Sequence, residues 1–160
     1  MEKQSLCAHD CFDETVDRYG DLVFRLACTR VQTKADADDV FQNDFLLYFQ
    51  KNPTFETEEH RRNWLINVTL KYCKKLHGSS WNRRVTLFED FPQLQTDLNT
   101  ENVELLQAVL SLPADYRTAV WLYYYEGFST KEIAAITKQK ESTVRSRLKR
   151  GREKLKGALQ

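Results

Sequence analysis

Turn-forming residues are scarce in this chain. Five glycines and three prolines among 160 residues give little material for the tight turns of a β-sandwich or barrel, and favour helices. No run of about 18 apolar residues occurs, so no segment reads as a membrane-spanning helix, and no direct membrane insertion is expected. The first residues, MEKQSLCAHDCFDE, are acidic and lack the apolar stretch of a secretory signal, so a cytoplasmic location is expected. Cysteine is limited to Cys7, Cys11, Cys28 and Cys73, a set that fits reduced thiols in that compartment. Cys7, His9 and Cys11 supply soft donors, but no second cluster completes a four-ligand zinc site. A solvated terminus is the expected reading, with no metal and no cofactor. Cys28 and Cys73 fall on apolar helical stretches and read as small core residues.

What the chain does have is enough apolar material for a core, 41% of residues, and a segregated charge. The formal net charge of +1 conceals four blocks. Residues 1–60 carry 6 basic and 13 acidic side chains, and residues 61–88 carry 7 basic and none acidic. Residues 89–126 carry 1 basic and 7 acidic, and residues 127–160 carry 10 basic and 3 acidic. Two basic blocks separated by an acidic one suggest two surfaces that meet phosphate and a segment between them that avoids it.

Apolar residues recur at helical spacing over 12–31 (Phe12, Val16, Tyr19, Val23, Leu26). A second helix opens at Asp36-Ala-Asp-Asp, with acids where the helix dipole favours them, carries Val40, Phe41, Phe45, Tyr48 and Phe49, and stops before Pro53. A third starts near Glu58 and runs through Trp64, Leu65, Val68 and Tyr72 toward Gly78-Ser-Ser. Residues 86–102 show no periodicity. Helices resume over about 101–111, 114–125, 130–137 and 141–158. The fold class is therefore all-α, with two small helical domains (8–82 and 101–160) joined by an acidic linker (83–100).

The most specific local pattern spans residues 126–150. Ser129 with Glu132 forms a capping box that starts a helix in which Ile133 and Ile136 point inward and small Ala134 permits a close crossing. Thr137–Lys140 is a short turn. The next helix sets Val144, Leu148, Gly151, Leu155 and Leu159 on one stripe and Arg145, Ser146, Lys149, Arg150 and Lys154 on the opposite face. An apolar stripe that fixes the pose and a cationic face that enters the major groove describe a helix-turn-helix. Its candidate DNA contacts are Ser142, Thr143, Arg145, Ser146, Lys149 and Arg150, Arg being suited to guanine and the others to phosphate or base edges.

With these residues in view, Leu112-Pro-Ala-Asp-Tyr-Arg-Thr-Ala-Val-Trp-Leu-Tyr-Tyr-Tyr-Glu-Gly-Phe-Ser and the helix-turn-helix after it resemble region 4 of bacterial RNA polymerase sigma factors. Asp36-Ala-Asp-Asp-Val-Phe-Gln-Asn-Asp-Phe resembles their region 2.2, and Trp64-Leu-Ile-Asn-Val-Thr resembles the helix of regions 2.3–2.4. The motif order and the lack of a middle domain resemble the extracytoplasmic-function (ECF) group across residues 12–158. The resemblance implies core RNA polymerase (its β′ clamp helices and β flap), promoter DNA and an anti-sigma factor as partners. It implies polymerase docking through Asp38, Asp39, Gln42, Asn43 and Phe49. It also implies −10 element contacts within the wholly basic block, at Arg61, Arg62, Asn67, Lys71, Lys74 and Lys75, with the recognition helix at the −35 element. His60, Trp64, Tyr72 and Trp81 are the aromatics at hand for an extruded base, Trp64 fitting the core better and Trp81, beside Arg83 and Arg84, fitting function better.

The chain departs from the family at two places. Lys71 and Lys75 stand where many relatives carry Asn and then Asp or Asn, which strengthens phosphate attraction and leaves base choice open. Thr137-Lys-Gln-Lys140 replaces the usual Leu-Gly-Ile-Ser, removing the turn glycine and the Ser cap. A stand-alone helix-turn-helix regulator is the alternative; the second basic block and the Asp39/Gln42 motif disfavour it. An enzyme is not expected: Asp36, Asp38, Asp39 and Asp44 sit at a helix start where acids belong anyway, with no paired base, nucleophile or phosphate-cradling glycine loop.

Overall fold

The computed structural model describes residues 6–7, 12–31, 33–77 and 103–159. The expected acidic linker, including Glu89, Asp90 and Asp97, lies outside the described residues, as do Trp81, Arg83, Arg84, His9 and Cys11. No helix among the described residues is long and apolar enough to cross a membrane.

In the first group of helices, α1 (Phe12–Arg30), α2 (Lys34–Lys51) and α3 (Glu58–His77) pack pairwise into a bundle. The short strands β1 (Leu6–Cys7) and β2 (Thr54–Phe55) pair antiparallel, Leu6 opposite Phe55. The helices begin and end where local chemistry requires. Thr33 caps α2 by accepting from the Asp36 N–H, and Asn52 ends it in the left-handed region (φ 44°), one residue before Pro53. Val23, Leu26, Val40, Tyr48, Leu65 and Ile66 fill the interior, with Phe45 against them. Trp64 stands half-buried, edge-on to Tyr48 and Phe55. Cys28 and Cys73 are buried free thiols, and burial pushes the Cys73 thiol up to about 12, which makes it unreactive.

One acid is enclosed with them. Asp44 of α2 is fully buried, and burial pushes its carboxyl up to about 8. Its Oδ2 contacts the Thr69 hydroxyl, which also donates to the Leu65 carbonyl at 2.8 Å. A hydroxyl has one proton, so a protonated Asp44 that donates to Thr69 satisfies both contacts, whereas a carboxylate competes with Leu65. Asp44 thus belongs to the core rather than to an acidic cluster with Asp36, Asp38 and Asp39.

The second group comprises α4 (Val103–Leu110), α5 (Ala114–Val120), α6 (Thr130–Thr137) and α7 (Glu141–Ala158). The expected α-helix over 114–125 is not uniform: Trp121–Tyr125 widens into a π-turn closed by Glu126 N–H to Trp121 O at 3.1 Å. Trp121 is wholly buried there and stacks flat on Tyr125 (4.4 Å, 13°), while Tyr123 and Tyr124 face outward. The Ser129–Glu132 capping box forms as the sequence predicts. The turn that lacks glycine is made by Lys138, left-handed at φ 56°, with Gln139 N–H bonded to Ala134 O. Thr130 then donates to Glu141 across the turn at 2.9 Å, tying the two helices without a Ser cap. Of the predicted stripe, Val144, Leu148 and Gly151 are buried, Leu155 is half-buried and Leu159 is exposed. Gly151 marks the closest approach: a Cβ there would lie 2.8 Å from Val120 Cγ2.

The two groups meet along a polar seam. Arg117 of α5, 3% exposed, donates to Leu112 O (2.8 Å) and to Thr29 O at the end of α1 (2.8 Å). Arg30 donates to Ala114 O (3.0 Å) and Thr118 Oγ1 (2.7 Å), and Arg25 pairs in fork geometry with Glu126 (3.1 and 3.2 Å). Farther along, Arg62 and Asn67 of α3 reach α6.

Two stability outcomes follow. Asp44 takes up a proton on folding between its ordinary pKa of 3.8 and about 8, so its contribution weakens as pH rises through that window and is constant above it. Asp44→Asn keeps the shape and a donor toward Thr69. In urea titrations its stability relative to wild type should rise by roughly 1 kcal/mol per pH unit from pH 4 to 8 and then level off; a pH-independent difference would contradict a buried neutral acid. Gly151→Ala would gain up to about 1 kcal/mol on an open helix. Here the short, stiff Val120 cannot yield, and the same assay should show a loss of about 1–3 kcal/mol.

Candidate nucleic-acid interface

The recognition face of α7 is presented as the sequence predicts. Ser142, Arg145, Ser146, Lys149 and Arg150 are exposed and Thr143 is half-buried, while Val144 and Leu148 anchor the opposite side. Arg145 pairs with Glu141 one turn back at 3.1 Å, which extends its guanidinium along the helix surface. Arg150 leans on Tyr116, whose hydroxyl beside it raises the guanidinium above its ordinary pKa. Two further basic residues of α7 are committed to structure: Arg147 pairs with Asp115 at 3.5 Å, and Arg152 donates to the Tyr124 hydroxyl at 3.1 Å.

The basic block on α3 divides into three environments. Lys71, Lys74 and Lys75 are exposed. Arg62 is half-buried: it pairs with Glu132 of α6 at 3.1 Å and lies 4.4 Å over the Phe128 ring. The Ser129 backbone N–H, with Arg62 beside it, holds the Glu132 carboxyl below its ordinary range, so this pair is ionised at neutral pH. Asn67 donates to the Ile136 carbonyl at 2.9 Å. In this arrangement two of the expected −10 contacts are occupied by the first helix of the helix-turn-helix. Arg61 is a correction. It is 3% exposed, paired with Glu58 at 3.0 Å and set over the Phe55 ring, so in this arrangement it is turned into the protein rather than toward a DNA strand. Adjacent helical residues point about 100° apart, so Arg61 and Arg62 cannot share a face.

The aromatics also sort by position. His60 is exposed, and with Phe55, Asn63, Trp64 and Asn67 it lines a 490 Å³ cavity closed by Ala135 and Ile136 of α6. A smaller cavity between α2 and α3 holds Trp64 and Tyr72 beside Lys71 and Lys75. Flat rings next to unpaired ammonium groups are what a single strand needs, stacking for bases and charge for phosphates.

The residues expected to dock on polymerase lie on the outer face of α2. Asp39, Gln42 and Asn43 are exposed, Phe49 is 47% exposed, and Asp38 is half-buried and pairs loosely with Lys34. Leu46, which the sequence reading did not single out, is 54% exposed on the same face between Asn43 and Phe49. Its spacing of three and four residues from Asn43, Gln42 and Phe49 was the available signal. Phe45 is in the core.

The family "Sigma-70, region 4" matches residues 102–155, which includes the whole helix-turn-helix. The ECF RNA polymerase sigma factor SigE of Mycolicibacterium smegmatis is 32% identical over 158 residues, covering 92% of this chain, which spans 61% of that relative's length. The ECF RNA polymerase sigma-E factor of Salmonella typhimurium is 30% identical over 166 residues, covering 93% of this chain and 86% of its own. Among solved structures, the sigma factor RpoE of Bartonella quintana, in complex with the anti-sigma factor NepR, superposes with a TM-score of 0.67 at 18% identity, over 92% of this chain and 96% of that one. The all-α fold is thus shared, and the chain belongs to the ECF RNA polymerase sigma factors.

Proposed function

We propose that the chain acts as an alternative sigma factor, joining core RNA polymerase and directing it to promoters. The observation that carries this reading is the exposed cationic face of α7 (Arg145, Lys149, Arg150) on a capped, buried-stripe helix-turn-helix, paired with a second exposed basic row, Lys71, Lys74 and Lys75, on α3. Residues 8–82 take the core polymerase and −10 element, residues 101–160 the −35 element, and residues 83–100 the path between them. On α7, Ser142, Thr143, Arg145, Ser146, Lys149 and Arg150 contact the −35 duplex. On α3, the three lysines draw in the melted −10 strand, and Arg62 and Asn67 join them once α6 has moved off α3. Asp39, Gln42, Asn43, Leu46 and Phe49, with Asp38 at the edge, dock on the β′ clamp helices. The phosphodiester chemistry is the polymerase's, and the protein itself is not an enzyme. Transcription places it in the cytoplasm. Its fold likeness to a sigma factor solved with an anti-sigma factor supports a similar inhibitory partner here.

The direct test is transcription by purified core polymerase, with and without this protein, on a genomic fragment library with mapped starts. Discrete protein-dependent starts sharing two spaced upstream motifs are expected. Tight duplex binding without polymerase and no dependent starts would instead establish a stand-alone regulator. On a promoter so found, Arg145→Ala with Lys149→Ala should weaken −35-dependent initiation by at least about tenfold, since each base contact is worth about 1–3 kcal/mol. Asp39→Arg with Gln42→Ala, both on the solvent side of α2, should weaken core polymerase binding by at least about tenfold in a direct binding assay, with helicity and melting temperature unchanged. Unchanged affinity would remove α2 as the docking face.

A further inference from the structure

Where the two groups of helices meet, a cavity of 270 Å³ opens between α3 on one wall and the helix-turn-helix on the other. Its charged lining is Arg30, Lys71 and Lys74 from the first group and Asp115, Lys138 and Arg147 from the second. Five cations therefore face one carboxylate, and that carboxylate is already paired with Arg147. Arg30 is committed to the Ala114 carbonyl and the Thr118 hydroxyl. The three lysines differ: among the described residues, none of them pairs with a carboxylate. Lys71 and Lys74 stand one turn apart on α3, and Lys138 is fixed opposite them by its left-handed backbone at the end of α6.

This placement has an electrostatic consequence. Elsewhere the seam matches opposite charges, Arg25 to Glu126 and Arg62 to Glu132. At the cavity it instead brings like charges together, and low-dielectric walls concentrate their field in the space between. A polyanion there would neutralise both walls at once, and three separated ammonium groups around a small volume match a chain of linked phosphates better than a single carboxylate.

We propose that this cleft is a binding site for a compact oligophosphate, the triphosphate of a nucleotide or its inorganic equivalent, which bridges the two groups of helices and holds them together. The site exists only while α6 lies against α3. Its ligand therefore favours the arrangement in which Arg62 and Asn67 are covered and opposes promoter binding; this consequence rests on the function proposed above, whereas the site does not.

The experiment is calorimetric titration of the full chain with inorganic tripolyphosphate at about 0.15 M salt, where loose surface attraction is largely screened. Saturable binding of one equivalent is expected. Lys71→Gln on one wall and Lys138→Asn on the other, Asn being at ease in a left-handed position, should each weaken binding by about tenfold. Lys156→Gln, a surface lysine outside the cleft, should leave it unchanged. ATP titrated in parallel distinguishes the sources: tighter binding than tripolyphosphate assigns the site to a nucleotide, and equal binding to the phosphate chain alone. No saturable binding, or equal losses in all three variants, would overturn the site. An effect confined to one wall would overturn the bridge. A short single strand of thymidines that binds more tightly than tripolyphosphate through the same lysines would show the cleft to be part of a nucleic-acid track.

Discussion

A buried guanidinium sets the geometry of this protein. Arg117 is enclosed between the α4–α5 turn and the end of α1, and its donors go to the Leu112 and Thr29 carbonyls. Carbonyls at a helix end carry partial negative charge and lack intrahelical partners, so a cation is favoured there. A charge this deeply enclosed is costly unless its donors are satisfied, which ties α5 to α1 in one relative position. The other contacts follow from that placement. Arg30 finds the start of α5, Arg25 finds Glu126 just beyond the π-turn, and α6 comes to rest over Arg62 and Asn67.

The same two residue types therefore do different work according to how much water they keep. Arg117 and Arg30 have given up most of theirs and act as bolts. Arg25 and Arg62 are half-buried and matched to carboxylates across the seam. Lys71, Lys74, Lys75, Lys149 and Arg150 are exposed and make no salt bridge among the described residues. Only this last set has its full attraction available for phosphate, because a cation already paired in the protein must first break that pair. The net charge of +1 gives no hint of this; the placement of each charge does.

Much of this arrangement was legible in the sequence, and the remainder has a common cause. Helix spans came from apolar periodicity, from the Ser129 cap and from the stop before Pro53, all of which are local. The recognition face was legible because the buried stripe Val144–Leu148–Gly151 leaves Arg145, Ser146 and Lys149 only one direction to point. What was missed lies in side-chain contacts that apolar periodicity does not carry. Arg61 reads as one more member of a basic block, but Phe55 and Glu58 fold over it. Arg62 and Asn67 meet residues 70 and 69 positions away, and Arg117 meets Thr29 across 88. The π-turn was hidden because Trp-Leu-Tyr-Tyr-Tyr fits an α-helical pattern equally well until Trp121 and Tyr125 are seen to stack.

The seam is not packed alike along its length. An interface meant to stay closed would resemble a bisected core, dry and densely packed. Along α3 and α6 this one instead carries an ion pair, an amide-to-carbonyl bond and two cavities of 270 and 490 Å³. Partly exposed ion pairs contribute little because water replaces each partner at small cost. Behind these polar contacts, Leu65 and Ile66 on one side and Ile133 and Val144 on the other belong to one continuous set of buried apolar residues. The firmer contacts at Arg117 and Arg30 lie at the other edge, by α1 and α5, where buried donors meet helix-end carbonyls, so the two edges of the seam are held by different chemistry.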